Sequence, residues 1–509
     1  MFKRKVISRF VMLLLISIMT VNSLASTAKA ALVNNTGTIT VNGLETGVTV
    51  TAYGIMEENF DFSVQQPSNF QYLWREEMVS WVAENYPDYI DQENMNAVTK
   101  AFSEATDAQV AEFYDKLAAA IKIGTVTLVY QPIVAESDSV IFDPVLTGNY
   151  MILVENGMRV YRPLTANVLH VWKDTTWQIE SAVVDAKASE PTVTKTVAED
   201  QKKDHYTIGD TIHYELSAVI PTYPDNAIAK QFVVSDKLPE SLTLSADSIK
   251  VYGVNAGEEP VLLSDSYTKT SVRPAGEEDE KAVTFSLNFK YEKISDYASL
   301  KITYDAVLNK AAVVGGDGNI NQAYLDYNNN PYVDGSWKSD EDQVTVYTYG
   351  MEIAKVDEDN EEPLTGASFY LYKDGEKVKF INENGSYRVA MSNEGGMSLL
   401  EVNEQGMLLL HGLDAGTYEL EEEYAPDGYV KLQHPVTIVI SDEDLDGKVE
   451  AEGEELEDGV MTVTVKNGKG FTLPVTGGIG TVLFSTTGIL MMGAGILLII
   501  AVFRRNESK

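Results

Sequence analysis

The sequence predicts a mainly β chain: tandem β-sandwich domains, the first with a helical insertion, set between an N-terminal signal peptide and a C-terminal transmembrane helix. Three observations lead there. Period-two runs rich in Val, Ile and Thr recur along the chain, separated by turn-forming and acidic stretches. The chain opens with Lys3, Arg4, Lys5 and Arg9 ahead of the apolar run Val11–Met19, and Ala28-Lys29-Ala30 supplies small residues for a signal peptidase, so cleavage is expected after Ala30. It closes with an apolar stretch from Ile479 to Phe503, followed by Arg504, Arg505 and Lys509. At about 1.5 Å per helical residue that stretch can cross a hydrocarbon core of roughly 30 Å, and the basic residues after it hold the cytoplasmic side.

The 509 residues are enough for about three domains. The chain is expected to be exported, yet it contains no cysteine, so its domains hold together without disulfides. The net charge is −37, and removing the signal and the C-terminal tail, whose charged residues are nearly all basic, makes it more negative. Such a surface repels nucleic acid and anionic membranes and keeps the chain soluble. The five histidines, His170, His205, His213, His411 and His434, fall in separate stretches with no metal-ligand spacing, and no cofactor is expected.

Residues 31–190 form the first unit after the signal at 1–30. Thr38–Val41 and Val48–Tyr53 alternate as strands. The period then changes: Asn69 to Ala83 sets Leu73, Trp74, Met78, Trp81 and Val82 at helical spacing, and a second helix is predicted from Asp107, with Thr106 as N-cap and Phe113, Tyr114, Leu117 and Ile121 on one face. Strands resume at Thr125–Tyr130 and Asn149–Val154. The aromatic residues of the helices are expected to cover the sandwich rather than bind a ligand. The second unit, 191–347, is all-β, with strands at Thr211–Val219, Gln231–Val234, Ala282–Phe289 and Leu300–Leu308 and an acidic loop at Gly276–Glu280. The third, 348–471, is shorter and richer in glycine turns. Its Asp442-x-Asp444-x-Asp446-Gly447 begins like a calcium loop, but the twelfth position is Gly453 where a bidentate acid is needed, so no metal site is assigned.

Residues 472–509 carry Leu473-Pro474-Val475-Thr476-Gly477, just ahead of the apolar stretch and basic tail. This resembles the sorting signal of Gram-positive surface proteins. The resemblance implies cleavage by a sortase between Thr476 and Gly477, with the Thr476 carboxyl passed through a thioester to an amine.

In the third unit Tyr418-Glu419-Leu420-Glu421-Glu422 runs on into Glu423-Tyr424-Ala425-Pro426-Asp427-Gly428-Tyr429. With Lys355 in Ile353–Asp357, Leu364–Phe369, and Val463-Thr464-Val465-Lys466-Asn467 just before the sorting signal, it resembles the Cna B-type domains of Gram-positive adhesins and pilins, which are immunoglobulin-like sandwiches. The resemblance implies an intramolecular isopeptide bond between Lys355 and Asn467, with Glu422 as proton relay. The chemistry has its own rationale. An amine is nucleophilic only when neutral, and burial lowers a lysine's pKa, while a buried carboxyl is raised and can stay protonated to donate to the asparagine carbonyl. Ammonia leaves, and the fold's positioning of the reactants supplies most of the acceleration.

The second unit has a similar set in Pro191–Val197, Val233–Pro239 and Gly318–Leu325, and it resembles the Cna A-type domain of backbone pilins, where Asp serves as relay. The resemblance implies Lys195 joined to Asn321 through Asp236, with Asn319 as a second candidate one pleat away. No bond is assigned in the first unit. Such crosslinks would replace the missing disulfides. A loop of about 100 residues closed in this way is worth roughly 4–5 kcal/mol on a chain-entropy model.

The acceptor lysine of backbone pilins falls at the end of the first domain in a Val-Tyr-Pro-Lys pattern. Here Val184-Asp185-Ala186-Lys187 occupies that position, with Asp185-Ala186 replacing the Tyr-Pro pair, and Lys173 is a second candidate. The family therefore implies a structural subunit of a covalently polymerised pilus, secreted and attached to the cell wall. Its expected partners are class C-like and housekeeping sortases, further copies of itself, minor pilins and peptidoglycan. A singly anchored adhesin or minor pilin binding a host ligand is the alternative. An extracellular enzyme built on the first domain is a third reading, and the absence of a nucleophile–base or metal cluster in the sequence argues against it.

Overall fold

The computed structural model describes residues 35–198, 200–273, 281–451, 454–456, 458–470 and 479–506. The expected signal peptide, the acidic loop Gly276–Glu280 and the motif Leu473–Gly477 lie outside the described residues. The chain is mainly β. It divides into two compact units, one made of the residues up to Thr348 with Asp444–Gly447 and one of the remainder from Tyr349 on.

The first unit contains two sandwiches. In the N-terminal one, β1 (Thr36–Asn42) lies between β4 (Ser139–Leu146) and β8 (Ala182–Asp185), antiparallel to the former and parallel to the latter. The facing sheet is built on β2 (Thr49–Asp61), which pairs with β3 (Gln66–Trp74) on one side and β5 (Gly148–Glu155) on the other, and continues through β6 (Leu164–Lys173) to β7 (Thr176–Glu180). Ile39, Val41, Val50, Phe142, Ile152 and Val168 fill the space between the two sheets.

The helical insertion differs from the sequence expectation at two points. Helix α1 spans Glu76–Asn85, whereas Gln66–Trp74 is strand, because the long β2 pairs back on it with Met56 opposite Trp74 and Glu57 opposite Leu73. Helical spacing of Leu73 and Trp74 with Met78 was coincidental: all three are buried, but from two kinds of element. Residues 125–129 are not strand either. The Thr125 and Val126 amides bond the Ala120 carbonyl at the end of the preceding helix, which draws the buried Val126 and Leu128 under the helices, and pairing with β2 starts only at Tyr130. Helix α2 (Asp107–Lys122) forms as expected, closed by a reciprocal capping box between Thr106 and Gln109. Phe113 is its central core residue, with the rings of Trp74, Trp81, Tyr86 and Phe102 centred 5.1–5.5 Å away. The aromatic stripe is therefore a packed second core on the sheet.

In the middle sandwich one sheet runs β9 (Val193–Val197), β10 (Thr211–Val219), β13 (Ser299–Leu308) and on to the edge. The other holds β15 (Trp337–Tyr347), β14 (Asn319–Asn328), β11 (Phe232–Lys237) and β12 (Lys281–Phe289). Helix α2 touches this sandwich through Tyr332, whose Oη donates to Asp115 Oδ1 at 2.7 Å, while Arg162 of the N-terminal sandwich reaches Asp115 Oδ2 at 3.2 Å.

The second unit is a smaller sandwich. Its sheet centre is β16 (Tyr349–Asp357), antiparallel to β17 (Met407–Leu413) and parallel to β19 (Val460–Asn467). Opposite lies β18 (Gly416–Tyr424), paired with Ser368–Lys373. Helix α3 (Ile479–Asn506) covers the apolar C-terminal stretch. Its side chains are described over 485–499 only, and among the described residues no helix is long and apolar enough to cross a membrane.

Candidate functional site: two buried lysine–carboxyl–asparagine clusters

Alternation along β9 sends Val193, Lys195 and Val197 inward while Thr194 stays exposed. A lysine is thereby carried into an apolar interior, and Lys195 is fully buried. Asp236 on β11 and Asn321 on β14 reach the same place from the facing sheet, also fully buried, on adjacent antiparallel strands with Asp236 opposite Ala323. Lys195 Nζ contacts Asp236 Oδ2 and donates to Tyr304 Oη at 2.7 Å, and Asn321 Nδ2 donates to the same Tyr304 oxygen at 2.8 Å. Burial pulls the Lys195 amine below its ordinary pKa and pushes the Asp236 carboxyl above its own, although each attracts the other's charged form. Both shifts favour the neutral pair that the reaction needs. Asp236 Oδ1 and Asn321 Oδ1 have no hydrogen-bond partner among the described residues. A proton on Asp236 would turn one of these orphan acceptors into a donor. Asn319, the second candidate electrophile, is turned elsewhere: its amide bonds the Val313 backbone N–H and C=O and the Val346 carbonyl.

The second unit repeats the theme with a different wiring. Lys355 and Asn467 lie on neighbouring parallel strands, where Lys355 is opposite Val465 and Asp357 opposite Asn467, so the two side chains are diagonal neighbours on one face. Glu422 comes from β18 in the facing sheet. All three are buried. Glu422 Oε1 is 3.3 Å from Lys355 Nζ, and its two oxygens accept from Asn467 Nδ2 at 3.1 and 3.0 Å. The Val430 carbonyl also takes the Asn467 amide, and the Leu432 N–H fixes the carboxyl from behind. Desolvation lowers the Lys355 amine, with Glu422 opposing. Asn467 Oδ1 is again unpartnered among the described residues. In the middle sandwich a Lys–Asn bond would cross from sheet to sheet, whereas here it would join two strands of one sheet.

Lys195 and Lys355 are the buried lysines among the described residues, and the first sandwich contributes none. Lys187 is exposed between β8 and the short strand Ala188–Ser189, which pairs with Val160–Tyr161. Its carbonyl accepts from the Arg162 N–H at 3.0 Å, so the backbone there is tethered while the side chain faces solvent. Lys173 is also exposed, at the end of β6 opposite Thr176 in a hairpin. Sequence reasoning missed Tyr304 and its stacked neighbour Tyr214, whose ring centroids are 5.2 Å apart. Their inward alternation is legible, but their meeting with Lys195 depends on the register of three strands.

Comparison with known proteins agrees with this architecture. Residues 208–331 match the family model described as Gram-positive pilin backbone subunit 2, Cna-B-like domain. Residues 350–455 match SpaA, a prealbumin-like fold domain, and residues 465–509 match the LPXTG cell wall anchor motif. The middle sandwich thus matches a model with a Cna-B-like description, where its aspartate relay had suggested the A-type. The trypsin-resistant surface T6 protein of Streptococcus pyogenes serotype M6 is 29% identical over 260 residues, which is 48% of this chain and 44% of that protein, so the chain spans less than half of this relative's length. The fold of the T6 backbone pilin of serotype M6 Streptococcus pyogenes, described as a modular three-domain structure, matches with a TM-score of 0.58 at 20% identity, over 86% of this chain and 99% of that one. Fold and motifs together define a cell-wall-attached surface protein built of tandem β-sandwiches. Within that class the chain is similar to Gram-positive pilin backbone subunits over residues 208–331, and its residues 465–509 match the LPXTG anchor motif.

Proposed function

We propose that this chain is the repeating subunit of a covalently polymerised pilus, stabilised from within by two isopeptide bonds, Lys195–Asn321 and Lys355–Asn467. The observation that carries the proposal is the burial of a lysine, a carboxyl and an asparagine together in each of two sandwiches, with the amine depressed by desolvation in both. Burying an amine and a carboxyl as ions costs several kcal/mol each, and a sandwich core has cheaper ways to be stable. The arrangement becomes advantageous once the amine and amide condense, because the charges vanish with the reaction. Asp236 and Glu422 move the protons, and ammonia is the leaving group.

In this reading the chain is a structural protein whose chemistry is confined to itself. A class C-like sortase cleaves between Thr476 and Gly477 and transfers the Thr476 carboxyl to the exposed Lys187 of the next copy. A housekeeping sortase finally moves the polymer to peptidoglycan, and minor pilins occupy its ends. Each unit of the polymer would then run from acceptor to sorting motif through two internally crosslinked sandwiches. The test is peptide mapping of the full chain by mass spectrometry. Two joined peptides, each lighter by one ammonia than the sum of its parts, are expected, and their absence would refute the internal bonds.

A further inference from the structure

The geometry points to Tyr304 as a third catalytic group of the Lys195–Asn321 reaction, one that passes a proton to the departing nitrogen. This inference rests on the internal bond proposed above. Tyr304 comes from β13, the third strand of the Lys195 sheet, and is fully buried. Its ring is fixed on both sides, by Tyr214 stacked at 5.2 Å and by the edge of Phe285 at 5.2 Å. Its hydroxyl oxygen accepts from the nucleophile, Lys195 Nζ, at 2.7 Å and from the leaving group, Asn321 Nδ2, at 2.8 Å. Both nitrogens therefore spend hydrogens on one oxygen, and the phenol's own hydrogen must point elsewhere. The Asp236 carboxyl lies beside it. One hydroxyl thus touches the attacking nitrogen and the departing nitrogen, and the relay acid is held on the same Lys195 Nζ.

The proton balance gives this hydroxyl a task. Lys195 Nζ, as the neutral amine, forms a bond to Asn321 Cγ through its lone pair, and the tetrahedral centre then carries two nitrogens and one oxygen. The lysine nitrogen must lose a proton, and the amide nitrogen must gain one before the old C–N bond breaks and ammonia departs. Tyr304 Oη–H donates to the amide nitrogen while a proton is returned to the phenol from Asp236, which is recharged by the lysine nitrogen. One C–N bond forms, one breaks, the proton that ammonia gains from Tyr304 is matched by the one the lysine nitrogen gives to Asp236, and Tyr304 and Asp236 end as they started. The phenol acts throughout as a neutral donor–acceptor, consistent with a burial that holds its pKa well above the ordinary tyrosine value.

The test compares Tyr304→Phe, Tyr214→Phe and Asn321→Ala with the parent in the full chain, following the joined Lys195–Asn321 peptide by mass spectrometry in a time course after synthesis. Tyr214 shares the buried stack and lies near Asn321, but its hydroxyl forms no hydrogen bond among the described residues, so its variant controls for packing and proximity without the direct contacts of Tyr304. General acid–base steps are worth about 10²–10⁴-fold, so Tyr304→Phe should form the joined peptide at least about 100-fold more slowly, with Tyr214→Phe near the parent rate. Sampled before its bond forms, Tyr304→Phe should have the thermal midpoint of Asn321→Ala, which cannot form the bond. A parent rate in Tyr304→Phe would overturn the role of Tyr304 while leaving the bond in place. Equal loss in both tyrosine variants, or a midpoint of Tyr304→Phe below that of Asn321→Ala, would overturn it in favour of packing. A parent chain with no joined peptide would overturn the bond itself.

Discussion

At the scale of single residues, what the sequence could reveal depended on how local the chemistry is. Lys355, Glu422 and Asn467 were legible because an acidic strand and two flanking strands carry them in a recognisable order, and the fold brings their side chains within 3.3 Å of the shared carboxyl. Asn321 and Asn319 could not be separated by alternation, since both face inward. What distinguishes them is a turn: the Val313 segment folds over Asn319 and occupies its amide, leaving Asn321 for the Lys195 site. Glu422→Ala should abolish the joined Lys355–Asn467 peptide and restore the missing ammonia mass. Its unfolding free energy should fall by up to about 4–5 kcal/mol, the value of closing a loop of that length. Mass spectrometry and thermal unfolding of the same sample check both, and a retained joined peptide would remove Glu422 from the reaction.

Elements were read well where one periodicity held throughout and poorly where two competed. The start of helix α2 was legible to the residue because Thr106 and Gln109 form a reciprocal cap ahead of a regular apolar face. Thr106→Ala removes that cap and should cost about 1 kcal/mol, read as a lower thermal midpoint. The stretch before α1 was misread because Leu73 and Trp74 are buried as strand residues and Met78 as a helix residue, a distinction only the pairing partner β2 supplies. The insertion also has a contact that no single-segment pattern could announce. Asp115, on the polar edge of α2, accepts from Tyr332 of the middle sandwich and pairs with Arg162. Asp115→Ala strands a buried phenol, so a loss of about 1–3 kcal/mol is expected in denaturant unfolding of the first unit, with Asp115→Asn recovering part of it. No loss in the alanine variant would show that water replaces the carboxylate.

At the scale of the molecule, the C-terminal anchor motif was legible, because sorting and anchoring depend on composition and short motifs rather than on tertiary contacts. The proposed polymerisation needs two parts of the chain to behave differently: Thr476 must be an acyl donor, and an amine near the first junction must be an acceptor. Two exposed lysines qualify by access, Lys187 and Lys173, and their backbones differ. Lys187 lies in an extended segment tethered through its carbonyl to Arg162, whereas Lys173 ends a hairpin strand opposite Thr176. An extended segment fits an enzyme's groove as a strand does, and a hairpin end presents its lysine on a tight bend. Both side chains are exposed with no base placed beside them among the described residues, so in this reading the sortase supplies the base. Lys187→Arg keeps the charge and removes the nucleophile. It should abolish the ladder of high-mass species in wall extracts while leaving folded, internally joined monomer, and Thr476→Ala should abolish both ladder and wall attachment. If the ladder survived in Lys187→Arg and vanished in Lys173→Arg, the acceptor would be the hairpin. A single band from the wild type would instead make the chain a singly anchored surface protein, with its internal bonds serving a monomer.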